Sequence, residues 1–168
     1  AGASAVVVSE GRLNQFMNLV EKGVAVVSAS DTRAALSVIS ARFFGDPSAQ
    51  VPVIGITGTN GKTTITYMIE SILKQVGYRP GVIGTINYRW GGKTRQASHT
   101  TPESRDLHEI MHAMVVDGVN CIILEVSSHA LSLKRADDIA FNFAVFTNLT
   151  RDHLDYHGDF DEYFDAKM

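Results

Sequence analysis

The sequence has a single cysteine, Cys121, so no disulfide can form within the chain. No apolar run approaches the roughly 20 residues that a membrane-spanning helix needs. Basic residues are not in excess either, because 15 Lys and Arg stand against 18 Asp and Glu, a formal charge of −3. A general nucleic-acid or membrane-surface binder needs cations to neutralise many phosphates, so both classes are disfavoured. One small anionic ligand is still compatible with this charge.

The composition is that of a soluble globular protein, with 45% hydrophobic and 20% charged residues. The chain does not start with methionine, and its last residues, DEYFDAKM, fall within a helical pattern. We therefore expect a piece of a longer protein. Cys121 lies in the apolar run CIILEV and is expected in the core.

Strand and helix patterns alternate along the chain, which predicts an α/β fold with a parallel sheet covered on both faces. The predicted strands are 5–8, 24–27, 53–56, 81–85, 121–126 and 143–147, with a hairpin at 86–96. Helices are predicted over 13–20, over 62–76 and from Phe160 onward. Another is predicted from a cap at Ser30 or Asp31 to Gly45. A fifth is capped by Thr100 or Thr101 and has Pro102 in its first turn. The polar segment 46–52 is predicted as a linker, which puts residues 1–48 and 49–168 in different domains.

Polar segments follow four of the predicted strands where each strand ends. These segments are TGTNGKTT, HTTPES, EVSSH and TNLTRDHLDYHG. Ligands bind at the carboxyl ends of the strands in parallel sheets. The four segments are therefore expected to converge on one site.

The segment TGTNGKTT (57–64) has the features of a phosphate-binding loop. It departs from the strict pattern G-x-x-x-x-G-K-[ST], because Gly55 is one residue too far from Gly61. Gly58 and Gly61 nevertheless let the backbone approach phosphate oxygens, Lys62 supplies a cation, and Thr63 can place a hydroxyl on Mg²⁺. The alternative is a glycine turn with a solvated lysine, but the strand before and the helix after favour the loop. The predicted nucleotide-binding residues are Gly58, Thr59, Asn60, Gly61, Lys62, Thr63 and Thr64.

Acidic and histidine residues supply candidate metal ligands. Glu125 ends an apolar strand, the position at which NTP-hydrolysing folds hold magnesium; the alternative is a solvated acid at a strand end. His153 follows the next strand and is either structural or a ligand. Spacing alone does not choose between His153 and its competitors Asp152, Asp155 and His157.

Four motifs in order, TGTNGKTT, HTTPES, EVSSHAL and FTNLTRDHLDYHG, resemble the Mur ligase family of bacterial cell-wall synthesis. The likeness is greatest to its MurE type, which adds the third peptide residue to UDP-N-acetylmuramoyl-L-alanyl-D-glutamate. TGTNGKT alone is shared with folylpolyglutamate synthases, whereas the other motifs are more specific. The resemblance implies that residues 1–48 end a smaller α/β UDP-binding domain. Residues 49–168 would then form the first half of a parallel-sheet, P-loop-type ATP-binding domain.

The resemblance also implies roles for individual residues. Thr63 matches the ligand of a first magnesium ion, and Glu125 and His153 match the site of a second. Lys167, which on its own is typical of a solvated helix lysine, matches a lysine that carries a CO₂-derived carbamate. A carbamate is an anionic oxygen ligand, which suits a hard cation. Lys62, Glu125, His153 and Lys167 are the implied catalytic residues.

The implied substrates are ATP, a UDP-N-acetylmuramoyl dipeptide and a free amino acid, either diaminopimelate or lysine. The implied reaction forms an amide through an acyl phosphate and releases ADP and phosphate. The matching substrate-binding residues are His99, Thr100, Thr101, Ser127 and Arg135. Leu133 stands where the family often has glutamine, so the resemblance does not support one of the family's hydrogen bonds to the substrate. The family further implies a cytoplasmic bacterial monomer without nucleic-acid or membrane partners.

Three alternatives stay open. The chain could belong to a folylpolyglutamate-synthase-like ligase, against which HTTPES and EVSSHAL argue. It could be a non-catalytic nucleotide-binding subunit of the MurE-like kind found with plastid transcription machinery; the presence of all four implied catalytic residues argues against this. This piece alone is also expected to be inactive.

Overall fold

The computed structural model describes residues 2–152, 156 and 158–167. A small sheet comes first, in which β1 (Ala5–Ser9) pairs in parallel with β2 (Ala25–Ala29). A 3₁₀ helix (Glu10–Phe16) and the one-turn α1 (Met17–Val20) connect them. The predicted helix over 13–20 is therefore 3₁₀ in its first half.

The helix predicted between a polar cap and Gly45 is confirmed as α2 (Thr32–Phe43). The Asp31 carboxylate caps it by accepting hydrogen bonds from the backbone N–H of Arg33 at 2.8 Å and of Ala34 at 3.0 Å. Gly45 adopts a positive φ of 77° just beyond its end, a conformation that glycine adopts without strain.

The predicted linker 46–52 is wrong as a plain linker, because it contains the one-turn helix α3 (Pro47–Gln50). Pro47 at its start has φ preset for a helix, and Pro47 and Ser48 are buried. The Ser48 hydroxyl accepts a hydrogen bond from the backbone N–H of Ala140 at 3.1 Å, which ties this segment to the loop that contains Ala140. The domain boundary at 48/49 stays a prediction.

Over the described residues, the second sheet has six strands in the order β6-β5-β4-β7-β3-β8. Its strands are β3 (Val53–Thr57), β4 (Pro80–Ile83), β5 (Asn87–Trp90), β6 (Lys93–Gln96), β7 (Cys121–Glu125) and β8 (Phe143–Phe146). β4, β7, β3 and β8 run parallel, as predicted, and the antiparallel hairpin β5–β6 forms one edge. After β3, the described part of the chain contains the helices α4 (Lys62–Gln75), α5 (Ser104–Val116), α6 (Ser128–Ser132) and α7 (Phe160–Asp165).

Helices cover both faces of the central strands. Ile65 and Ile69 of α4 pack on one face, against side chains such as Ile123. Leu107 and Met111 of α5 pack in the core of the other face. All five residues of β7 are buried, as expected for a strand covered on both sides. The free Cys121 is buried, which confirms it as a core residue, and this burial raises the pKa of its thiol.

The start of α5 differs from the prediction. Glu103, not Thr100 or Thr101, is the N-cap residue, and Pro102 precedes the helix. The physical reason is a competing partner, since the Thr101 hydroxyl donates to the backbone carbonyl of Glu125 at 2.8 Å. The short helix α6 was not predicted. No helix within the described ranges is long and apolar enough to cross a membrane.

Candidate active site

The loop after β3 is held by the segment that follows β8. The backbone N–H of Thr59 donates to the carbonyl of Asn148 at 2.9 Å. The Asn148 side chain accepts from the N–H of Asn60 at 3.1 Å and donates to its carbonyl at 3.1 Å. The Thr147 hydroxyl also donates to that carbonyl, at 2.7 Å. Gly58 passes so close that a Cβ there would lie 2.9 Å from the carbonyl oxygen of Asn148.

The loop leads into the N-terminus of α4. Gly61 is the N-cap residue, with a left-handed φ of 84° and no side-chain capping bond. The N–H groups of the first helical turn, which includes Thr63 and Thr64, have no acceptor within the helix. Together with the positive end of the helix dipole, they form an environment that favours phosphate. The strand–loop–helix arrangement predicted for 57–64 is confirmed.

Two lysines meet at this loop. The Lys62 Nζ donates to the carbonyls of Gly58 at 2.8 Å and Thr59 at 2.9 Å, which holds the ammonium group over the loop. The Lys167 Nζ comes from the end of α7 and donates to the same Gly58 carbonyl and to the Thr57 hydroxyl, both at 3.3 Å. Residues more than 100 positions apart thus place positive charge where an anion would bind.

Both lysines are less basic than usual. Burial lowers the pKa of Lys62, and the carboxylates of Glu125 and Asp152 oppose that shift. Burial also lowers the pKa of Lys167 to about 8, with help from the Lys62 cation and against the attraction of Asp152. Only 8% of Lys167 is exposed. Lys167 is therefore not a solvated helix lysine, and with a pKa of about 8 roughly one in ten of these side chains is a neutral amine at pH 7.

Glu125 lies beside the loop and is 1% exposed. Its Oε2 accepts hydrogen bonds from the Thr63 hydroxyl at 3.0 Å and from the Thr85 hydroxyl at 2.8 Å. Gly84 leaves room for this carboxylate, since a Cβ at that position would lie 2.8 Å from its Cδ. The alternative of a solvated acid at a strand end is excluded by this burial.

The segment 99–101 is joined to the same strand end. Thr100 lies 3.1 Å from the Thr85 hydroxyl, oxygen to oxygen, and the Thr101 hydroxyl accepts from the N–H of Ser127 at 3.1 Å. Arg135 donates to the Thr101 carbonyl at 3.1 Å and pairs with Glu103 at 2.6 Å. Four of the predicted substrate-binding residues therefore form one group.

His99 and Ser127 are also fixed by their surroundings. The backbone N–H and carbonyl of His99 both bond to the Tyr88 hydroxyl, at 3.2 and 2.7 Å, and the residue is exposed. The Ser127 hydroxyl accepts from the N–H of Ala130 at 3.2 Å and so caps α6. All five predicted substrate-binding residues thus occupy the edge of the sheet at which the four strands end.

The described residues supply some of the ligands that a magnesium ion would need. Thr63 and Glu125 bring a hydroxyl and a carboxylate together, and both are oxygen ligands of the kind that Mg²⁺ takes. No group of three His, Cys, Asp or Glu that could hold a metal occurs among the residues that the structure describes. His153, Asp155 and His157 lie outside those residues, so the prediction of His153 as a ligand stays a prediction.

Residues that position the loop were missed in the sequence. Thr85 bonds Glu125, and Thr147, Asn148 and Thr150 hold the loop from β8. Tyr163 bonds the Thr59 hydroxyl at 2.9 Å. Their only signal was placement just after strands or in the last helix. Thr147, Asn148 and Thr150 stand in the segment TNLTRDHLDYHG, but the sequence assigned them no individual role, because each acts through a contact with a distant part of the chain.

The family model described as the Mur ligase middle domain matches residues 56–168. The chain belongs to the Mur ligase family. It is 48% identical over 166 residues to the UDP-N-acetylmuramoyl-L-alanyl-D-glutamate–2,6-diaminopimelate ligase of Geobacter metallireducens, covering 99% of this chain and 31% of the relative. The ligase of the same name from Clostridium perfringens is 48% identical over 149 residues, covering 89% and 31%. The chain thus spans about a third of these curated relatives.

Solved structures show the same fold. A structure of a UDP-N-acetylmuramoyl-L-alanyl-D-glutamate–2,6-diaminopimelate ligase matches with a TM-score of 0.76 and 27% identity, over 97% of this chain and 36% of that one. A folylpolyglutamate synthase from Mycobacterium tuberculosis, complexed with ADP and AMPPCP, matches with a TM-score of 0.64 and 18% identity, over 94% and 41%. At that identity the second likeness concerns the fold alone.

Proposed function

We propose that the full-length protein is an ADP-forming ligase that adds the third amino acid to UDP-N-acetylmuramoyl-L-alanyl-D-glutamate. The observation that carries the proposal is the position of Glu125. Its carboxylate bonds Thr63 of the nucleotide loop, and its backbone carbonyl bonds Thr101 of the predicted substrate segment. One strand end therefore joins a site for ATP to a site for an acid that would react with it.

In the proposed reaction, the terminal carboxylate of the dipeptide attacks the γ-phosphorus of ATP. The bond to the β,γ-bridging oxygen breaks, which gives an acyl phosphate and ADP. Lys62 and the N–H groups of the first turn of α4 offset the charge on the transferred group. The amine of the incoming amino acid then attacks the acyl carbon, and the tetrahedral intermediate expels phosphate. No protein nucleophile is needed.

Thr63 and Glu125 are the residues proposed to hold magnesium, together with His153 and a carbamylated Lys167. Bound magnesium supplies charge neutralisation on the phosphates. The carbamate forms when the neutral amine of Lys167 adds CO₂ and loses a proton. The burial of Lys167 and its pKa of about 8 support this step, because the amine must be neutral to react.

The names of the two curated relatives support diaminopimelate as the third residue. Lysine is the alternative amino acid. The test measures ADP release by the full-length protein with Mg²⁺-ATP and the muramoyl dipeptide. Diaminopimelate and lysine are supplied in separate reactions. A folate with glutamate serves as the control pair. Release that requires the dipeptide and diaminopimelate supports the proposal, and release only with the folate pair refutes it.

If the protein binds Mg²⁺-ATP tightly but releases ADP with neither pair, the activity is refuted in favour of a non-catalytic nucleotide-binding subunit. The described residues give that alternative no support, because Lys62, Glu125 and Lys167 converge on one loop.

A further inference from the structure

Thr85 is a side chain to which no motif assigns a role. It follows β4, whose last residue, Ile83, is in register with Leu124 of β7. Gly84 and Thr85 therefore lie beside Glu125, the residue after Leu124. The Thr85 hydroxyl reaches the Glu125 Oε2 at 2.8 Å, which is shorter than the 3.0 Å from Thr63 to the same oxygen.

The direction of these hydrogen bonds follows from proton counting. A carboxylate only accepts, so the single hydroxyl proton of Thr85 is directed to Glu125. The 3.1 Å contact between the hydroxyls of Thr85 and Thr100 then requires Thr100 to be the donor. A directed chain therefore runs from Thr100 through Thr85 to the carboxylate, and Thr63 donates to that carboxylate from the other side.

The carboxylate has little freedom apart from these two bonds. Glu125 is 1% exposed, and a Cβ on Gly84 would meet its side chain. Its backbone carbonyl accepts from Thr101. Thr100 and Thr101 are neighbours in the predicted substrate segment. Thr101 therefore contacts the backbone of Glu125, and Thr100 is linked to its carboxylate. Thr85 connects Thr100 to the Glu125 carboxylate, the group that would bind metal.

We propose that Thr85 is a positioning residue that orients the Glu125 carboxylate for the metal and couples it to occupancy of the substrate segment through Thr100. The inference rests on the proposed function. Partners that orient a metal ligand from outside the coordination sphere typically contribute about 10- to 100-fold in metal affinity or activity. When Thr100 engages a substrate, its bond to Thr85 changes, and that change reaches Glu125 without any movement of the backbone.

The test measures Mn²⁺ binding to the full-length protein in the presence of a non-hydrolysable ATP analogue. Electron paramagnetic resonance monitors the bound Mn²⁺. Each titration is done with and without the muramoyl dipeptide. Thr85→Val removes the hydroxyl at similar volume, and Thr85→Ser restores it. Thr94→Val is the matched control, because Thr94 is an exposed threonine of β6 on the far edge of the sheet. Melting temperatures verify folding.

We expect Thr85→Val to weaken Mn²⁺ binding about tenfold and to abolish the effect of the dipeptide on it. Thr85→Ser and Thr94→Val should remain within about twofold of the unmodified protein. Unchanged Mn²⁺ affinity in Thr85→Val would overturn the positioning role while leaving the proposed function intact.

If the unmodified protein bound no Mn²⁺ with the analogue, the proposed function would fail together with this inference. Thr100→Val gives a second test that does not depend on the folding of Thr85→Val. It should lose the effect of the dipeptide on Mn²⁺ affinity even at a dipeptide concentration that saturates the variant, as measured by a separate dipeptide titration. An undiminished dipeptide effect in Thr100→Val would overturn the coupling.

Discussion

Replacing Gly58 by alanine should lower the stability of the protein and damage the proposed nucleotide site. Gly58 has a φ of 129°, where an L side chain is strained by about 1–3 kcal/mol. The new Cβ would also lie 2.9 Å from the carbonyl oxygen and 3.1 Å from the nitrogen of Asn148. Relieving that contact moves the backbone that accepts from Thr59, at a further cost of about 0.5–1.5 kcal/mol. We expect a total loss of about 1.5–4.5 kcal/mol.

Gly77→Ala is the matched control. Gly77 also has a positive φ, 85°, but nothing lies within 4 Å of its added Cβ. It should lose only the cost of the left-handed backbone, about 1–2 kcal/mol. Because both changes are glycine to alanine, their effects on the unfolded chain cancel in the comparison. The assay is denaturant unfolding together with Mg²⁺-ATP binding by the full-length protein. If Gly58→Ala and Gly77→Ala had the same free energy of unfolding and the same Mg²⁺-ATP affinity, the account of the loop would be wrong.

Three further outcomes are expected. Lys62→Ala should abolish ATP turnover without unfolding the protein, whereas Lys74→Ala, at the other end of α4, should not; turnover retained in Lys62→Ala would remove the phosphate-loop assignment. Lys167→Ala should lose activity and regain part of it with added acetate or formate; activity without any added carboxylate would contradict the carbamate role. The folded pKa of Lys167, about 8, is below its usual 10.5, so the unfolded chain binds more protons between these values and stability should rise with pH there. In CO₂-free buffer, the free energy of unfolding of Lys167→Met should rise less with pH than that of the unmodified protein. An identical rise would refute the lowered pKa of Lys167.

The sequence was sufficient to predict the parts of the site that local patterns encode. The apolar run before Gly58 and the helical period after Lys62 predicted β3 and α4, and both are confirmed. The position of Glu125 at the end of an apolar strand predicted its place beside the loop. These features depend on periodicity and on the rule that parallel strands end at one edge, which need no knowledge of tertiary contacts.

The contacts across the sheet were not predictable in the same way. Thr101 looked like a helix cap, because a threonine before a helical pattern usually is one. Its hydroxyl instead bonds Glu125 of a neighbouring strand, a choice that depends on how β4, β7 and the segment 99–101 lie together. The burial of Lys167 is similar. Its pattern is that of a surface helix, and only the path of α7 back to Thr57 shows that it is enclosed.

The most direct test of the central claim follows an oxygen atom. The dipeptide would be labelled with ¹⁸O in its reacting carboxylate and turned over by the full-length protein with Mg²⁺-ATP and diaminopimelate. Attack of that carboxylate on the γ-phosphorus predicts one ¹⁸O atom in each phosphate released, measured by mass spectrometry. Phosphate without the label would mean that water or another group attacks ATP, and it would contradict the acyl-phosphate ligase.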